Sequence, residues 1–169
     1  MKDIYLALDF PTWKEAKNFI DQHDLKGVPV KVGMELFYRE GPDLVKRLKE
    51  EQHKVFLDLK LHDIPTTVYR AMKNLAKLDV DIVNVHALGG AEMMLRAKEG
   101  LIEGKSNDYT TDIIAITVLT SHDQKTLRKD LRLQAQIDDY ARHLPHVSKQ
   151  SGMDGVVCSV YETKAIKAL

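Results

Sequence analysis

Short runs of β-branched and other apolar residues return along this chain at nearly even intervals, and longer charged segments with helical spacing fill the gaps. The runs fall at Ile4–Leu8, Val28–Val32, Lys54–Leu59, Asp81–Val85, Asp112–Leu119 and Gly155–Cys158. The first four begin near residues 4, 28, 54 and 81, so each interval accommodates one strand and one helix. Apolar strands alternating with helices predict a parallel sheet covered by helices. Two α/β architectures satisfy that pattern, an open doubly wound sheet and a (βα)8 barrel.

The helical segments carry their own start signals. Thr12-Trp13-Lys14-Glu15 has the form of a capping box, followed by Ala16, Phe19 and Ile20 at helical spacing. Gly41-Pro42 opens a second helix with Leu44, Val45 and Leu48 on one face, and Pro65-Thr66 opens a third with Val68, Met72 and Leu75. Gly89-Gly90 precedes a fourth, Leu127–Leu144 carries a fifth, and Glu162–Leu169 begins a sixth. The expectation is a single domain over residues 1–169 holding about six βα units. Barrels of this kind run to about 250 residues, so the sequence is expected to be a C-terminally incomplete record of one.

Composition removes several classes of function. Lys+Arg 25 balances Asp+Glu 25, giving a net charge of +0 and no global field to draw in nucleic acid or an anionic membrane. No apolar stretch approaches the length needed to cross a bilayer. Lys2 and Asp3 lead straight into the first strand run, so no signal peptide is expected. The single cysteine, Cys158, excludes an intramolecular disulfide and a cysteine-rich metal site. A cytoplasmic enzyme or binding domain is the expectation.

Polar residues cluster where buried parallel strands should be apolar. Asp9, Lys31, Asp58 with Lys60, Asn84 with His86, Thr117 with Thr120, and Ser159 all fall toward the C-terminal ends of their strands. That is the end at which α/β folds place their chemistry. Asp58 and Lys60 are two residues apart and share a face of the strand. An ion pair there needs further charges around it, and Lys31 and Asp63 are the available completions. Carboxylates beside Lys60 favour its ammonium, which suits a proton donor and argues against a Schiff-base lysine. Any one of these residues taken alone reads as a solvated loop position; their concurrence on five strand ends does not. His62 and His86 lack metal-ligand spacing and read as hydrogen-bonded structural histidines. Cys158 reads as a buried core thiol, Gly89-Gly90 as a weak phosphate-loop signal, and the Lys125–Arg132 run as a solvated helix face.

The segment Asp58-Leu59-Lys60-Leu61-His62-Asp63-Ile64-Pro65-Thr66-Thr67 resembles the signature of the orotidine 5′-phosphate decarboxylase family. Leu8-Asp9, Val30-Lys31-Val32-Gly33, Thr117-Val118-Leu119-Thr120-Ser121 and Gly155-Val156-Val157-Cys158-Ser159 resemble it in the same order. The Asp-x-Lys-x-x-Asp core is shared with hexulose-phosphate synthases of the same superfamily, whereas the His-Asp-Ile-Pro-x-Thr continuation is particular to the decarboxylases. The resemblance implies a (βα)8 barrel and cofactor-free, metal-free conversion of orotidine 5′-monophosphate to uridine 5′-monophosphate in pyrimidine synthesis. It implies Lys60 as proton donor to C6, Asp58 beside the departing carboxylate, and Lys31 and Asp9 on the ribose hydroxyls. Family members are homodimers with sites at the interface, so Asp63, Ile64 and Thr67 would reach the partner's site, while Thr120 and Ser159 match pyrimidine contacts. The family's phosphate-gripping lid and Arg-containing loop follow the seventh and eighth strands, beyond these 169 residues. Two other readings stand beside this one: a Mg²⁺-dependent sugar-phosphate synthase or lyase with Asp58 on the metal, and a non-catalytic fragment or dimerisation module.

Overall fold

The computed structural model describes residues 4–168 apart from 107 and 109; Lys2, Asp3 and Leu169 of the expectations above lie outside the described residues. Chain order is β1 (Leu6–Ala7), α1 (Trp13–Gln22), β2 (Val30–Gly33), α2 (Met34–Glu40), α3 (Asp43–Glu50), β3 (Val55–Leu61) and α4 (Pro65–Leu75). It continues through β4 (Ile82–His86), α5 (Gly90–Gly104), β5 (Asp112–Ile116), α6 (Ile137–Gln150), β6 (Gly155–Val157) and α7 (Thr163–Ile166). Among the described residues the six strands form one parallel sheet whose spatial order is the chain order, β1 to β6. A doubly wound sheet reverses its order at a switch point, so this sequential winding is that of a (βα) barrel and decides between the two expected architectures.

The strand period divides the residues between two faces. Val30 and Val32, Val55, Leu57 and Leu59, Val83 and Val85, and Ile113 and Ala115 are buried in the main core with helix residues such as Ile20, Leu44, Met72, Met94 and Leu101. Lys31, Phe56, Asp58 and Ile116 have the opposite parity and line a cavity on the concave face. The sheet thus sends its hydrophobic half to the helices and its functional half inward.

Local signals explain most of the helices. Thr12 is extended, and its Oγ1 accepts the Glu15 N–H at 3.2 Å to open α1. Pro65 supplies the first residue of α4, where its missing N–H costs nothing. Two elements depart from expectation. The predicted helix over Leu127–Leu144 is instead a π-type turn at Thr126–Asp130, an irregular segment, and α6 beginning at Ile137. The helix α6 runs through a buried Pro145 to Gln150, although a proline removes one helical hydrogen bond. The helix α2 follows β2 without a connecting loop and was not predicted. The fifth strand is also shorter than expected: it ends at Ile116, and the Thr117 N–H and hydroxyl both donate to the Val157 carbonyl, at 3.2 and 2.9 Å.

The helices α4 and α5 touch backbone to backbone. A Cβ at Gly100 would lie 2.2 Å from the Tyr69 carbonyl oxygen, and one at Gly104 would lie 2.3 Å from that of Lys73. Neither obstacle is a side chain that can rotate away. Gly100→Ala is therefore expected to cost about 1–3 kcal/mol from overpacking, despite the gain of about 1 kcal/mol in helix propensity. Urea denaturation checks it, and a variant more stable than wild type contradicts this packing.

Candidate active site

Four charged side chains meet at the C-terminal ends of the first three strands. The Lys31 ammonium lies 3.2 Å from Asp9 Oδ1 and 3.4 Å from Asp58 Oδ2. The Lys60 ammonium lies 2.8 Å from Asp58 Oδ1. The result is an alternating run, Asp9, Lys31, Asp58, Lys60, drawn from β1's end, β2 and β3. The pairing of Gly33 with Asp58 in the β2–β3 register brings the Lys31 and Asp58 side chains into reach.

The segment that carries Asp58 and Lys60 is irregular for a visible reason. Leu57 pairs with Val83 and Leu61 pairs with Val85, so three residues of β3 stand opposite Asn84 alone. Lys60 takes φ +54° within this bulge, a left-handed conformation costing a long side chain roughly 1–2 kcal/mol. Asn84 spans the gap: its Oδ1 accepts the Lys60 N–H at 2.7 Å, and its Nδ2 donates to Asp58 Oδ1 at 2.6 Å.

Burial pushes the Asp58 carboxyl up, but hydrogen bonds from Lys60 and Asn84 and the charges of Lys60 and Lys31 outweigh it. The net effect holds Asp58 below the ordinary carboxylate range. It is therefore an anion whose lone pairs are already engaged by two ammonium groups and an amide. A divalent cation there would have to displace both lysines. Among the described residues, no group of three or more His, Cys, Asp or Glu is disposed to hold a metal ion.

Lys31, Asp58 and Lys60 line a cavity of about 320 Å³ with Phe56, Ile116, Val118, Leu119, Thr120, Val157 and Cys158. One wall is ionic and the opposite wall apolar, which suits a flat heterocycle carrying an anionic substituent. A wider groove of about 430 Å³ runs beside β6, between Pro145, Met153 and Ile166. Its one carboxylate, Asp154, is committed to Lys98 and to the Ile113 N–H, so no comparable constellation is built there.

Not every expected residue joins the cluster. Asp63, expected to complete the Asp58–Lys60 network, stands on the exposed loop after β3, where its carboxylate accepts the Ile64 N–H at 2.7 Å. Asp9, just past the end of β1, joins the cluster through the Lys31 ammonium. Asp63 and Thr67 line a second groove with Met34, Tyr38 and Lys60, which also borders the ionic cavity, and Ile64 is exposed beside it. Thr120 borders the ionic cavity. Ser159 does not: it caps the turn at Val160–Glu162, its hydroxyl accepting from the Glu162 N–H while its own N–H donates to the Glu162 carboxylate.

Three further readings of single residues are corrected. Cys158 is only half-buried and forms part of the cavity wall, because β6 ends one residue earlier. Gly89 serves packing, since a Cβ there would meet Met93 Sδ. His86 is not hydrogen-bonded through Nδ1, which is buried without a partner among the described residues, and the His62 ring stands 5.5 Å away. Phe56 was not anticipated in the cavity wall, and Asn84, noted only as a polar residue at a strand end, was given no role. For Asn84 the available signal was an amide in the middle of an apolar strand, Ile82-Val83-Asn84-Val85.

The family model for orotidine 5′-phosphate decarboxylase / HUMPS matches residues 2–169. The chain belongs to this family. It is 48% identical over 167 residues to an orotidine 5′-phosphate decarboxylase of Bacillus cytotoxicus, covering 98% of this chain and 70% of that protein. The crystal structure of orotidine 5′-phosphate decarboxylase from Lactobacillus acidophilus superposes with a TM-score of 0.93 at 39% identity, over 99% of this chain and 76% of that one. An uncharacterized conserved protein from Geobacillus kaustophilus gives a TM-score of 0.91 at 48% identity, covering 97% of this chain and 77% of that one. Membership in the decarboxylase family agrees with the sequential strand order and with the position of the charged cluster at the strands' C-terminal ends.

Burial, and then electrostatic repulsion from the neighbouring His62 and Lys60, hold the His86 imidazole below its ordinary range. A depressed histidine contributes stability that is present above its unfolded value, near 6.5, and is lost as the pH falls. Lowering the pH from about 7.5 to about 5 is therefore expected to lower the wild-type Tm a few degrees more than that of His86→Gln. Parallel Tm profiles for the two proteins contradict a neutral buried His86.

Proposed function

We propose that this protein decarboxylates orotidine 5′-monophosphate to uridine 5′-monophosphate in de novo pyrimidine biosynthesis. The observation that carries the reading is the alternating run of Asp9, Lys31, Asp58 and Lys60 on one wall of the cavity. Loss of carbon dioxide breaks the bond at C6 and leaves its electron pair on the ring, with no adjacent electron sink. A fixed ammonium beside that carbon stabilises the developing charge without reorganising solvent. Lys60 supplies it, then transfers its proton to C6, and the resulting amine is reprotonated from solvent. Asp58 faces the departing carboxylate and holds both lysines, while Lys31 and Asp9 engage the ribose hydroxyls. Thr120 meets the pyrimidine from the rim; Ser159 enters only as the residue after the Cys158 wall, its hydroxyl being committed to its cap. Replacing a carboxylate by a proton is redox-neutral, so the reaction needs no redox cofactor, and in this reading the Lys60 ammonium supplies the positive charge that a metal ion would otherwise bring.

The same reading makes the protein a cytoplasmic homodimer acting on a small nucleotide, with nucleic acid and membrane outside its role. A balanced charge supports it, as does the lack, among the described residues, of a helix long and apolar enough to cross a membrane. Exposed Met34, Tyr38 and Ile64 support a second copy packing on that face. Asp63, Ile64 and Thr67 then complete the partner's site. The six-stranded arc leaves β1 and β6 as sheet edges among the described residues, and two further βα units would close it as one barrel domain.

Loss of ultraviolet absorbance from orotidine 5′-monophosphate tests the chemistry. Lys60→Ala is expected to lower kcat at least about 10³-fold, and equal rates in the two proteins reject Lys60 as donor. Calorimetric binding of uridine 5′-monophosphate, absent in a mere dimerisation module, is a second readout. Shared sites have their own signature. Mixing inactive Lys60→Ala with inactive Asp63→Ala restores one intact site per mixed dimer, about a quarter of wild-type activity. No recovery on mixing contradicts a site shared across the interface.

A further inference from the structure

We infer that Asn84 is a positioning residue that sets the working geometry of Lys60 and Asp58 together. This rests on the decarboxylase reading for its kinetic consequences, but the geometry stands without it. Asn84 is 1% exposed and stands behind the cavity wall, bonded to Asp58 and Lys60 of the lining without lining it itself. Where β3 bulges, the ladder from β4 offers no carbonyl to the Lys60 N–H, and Asn84 Oδ1 takes it instead.

The orientation of the amide is forced. A backbone N–H can only donate, so the atom facing Lys60 is the oxygen, and the nitrogen must face Asp58. A donor on Asp58 Oδ1 at 2.6 Å favours the carboxylate and fixes its rotation. One side chain therefore fixes the backbone from which the Lys60 ammonium projects and the carboxylate on which that ammonium rests. Leucine, close in size, would leave the Lys60 N–H without an acceptor in a buried place and Asp58 Oδ1 with only the Lys60 ammonium to hold it. Aspartate keeps the acceptor for Lys60 but sets a second carboxylate against Asp58.

The test uses Asn84→Ala and Asn84→Asp with orotidine 5′-monophosphate. Because Asn84 meets no substrate, Asn84→Ala is expected to lower kcat about 10²-fold, as misplacement of a reacting group does, with KM changed less than about threefold. Asn84→Asp preserves shape and the Lys60 acceptor, so it tests the Asp58 arm even if the alanine variant folds poorly. At neutral pH it is expected to be impaired, and to recover toward acid pH as a proton shared by the two carboxyls restores a donor to Asp58. That reversed pH profile is something a merely structural asparagine would not produce. Wild-type kcat in both variants, or an Asn84→Asp profile parallel to wild type, overturns the inference. Amide hydrogen exchange at Lys60 keeps it separate from the function: loss of protection in Asn84→Ala supports the clamp even if the wild type does not turn over orotidine 5′-monophosphate, and unchanged protection overturns it.

Discussion

One buried carboxylate held between two ammonium groups is the interaction on which this molecule's chemistry turns. Taking an Asp58-like anion out of water costs several kcal/mol, and it persists as an anion only if opposite charges and donors surround it. Lys31, Lys60 and Asn84 supply three such partners within 3.4 Å. Because each lysine answers to a carboxylate, the positive charge on the cavity wall is fixed in place before any substrate arrives. A preorganised charge of this kind acts on a developing carbanion more strongly than one that must be recruited from solvent.

The fold delivers these groups by simple means. Parallel strands in sequential order put their C-terminal ends on one rim, and a period of two sends alternate residues inward. Regular pairing alone would bring Lys31 and Asp58 together through the β2–β3 register. It would not orient Lys60, and the bulge opposite Asn84 does that at the expense of an unfavourable left-handed backbone. Strain at such a position persists only where its surroundings over-determine it. Here the helices behind β3 pack Leu57 and Leu59 on the far side while Asn84 holds the near side.

Much of this was legible in the sequence. The strand beat, the Thr12 and Pro65 helix starts and the shared face of Asp58 and Lys60 follow from periodicity and capping chemistry. Winding order was not legible, since a doubly wound sheet and a barrel present the same βα rhythm until strands are seen to pair. The helix α2 escaped because it is 7 residues long, starts directly from β2 and has no side-chain cap at Gly33. The boundaries of α6 were misjudged because Gln136 is a poor capping signal and Pro145 reads as a terminator, whereas tertiary burial carries the helix through it. Within the site, the sequence indicated which charges share a strand face and that Lys31 completes them, but not which carboxylate joins Lys31. Asp63 lies three residues beyond Lys60 along the chain, yet the end of β3 carries it outward, while Asp9, from a strand run almost fifty positions earlier, is brought in by β1–β2 pairing.

The most direct measurement is the titration of Asp58 itself, followed through its side-chain carboxyl ¹³C shift in aspartate-labelled protein. Held by two ammonium groups and an amide, Asp58 is expected to protonate only below the ordinary aspartate value of about 3.9, with the shifts of the exposed aspartates as internal references. A midpoint above that value, the behaviour of a carboxyl buried without its lysines, would contradict the charge arrangement from which the proposed chemistry follows.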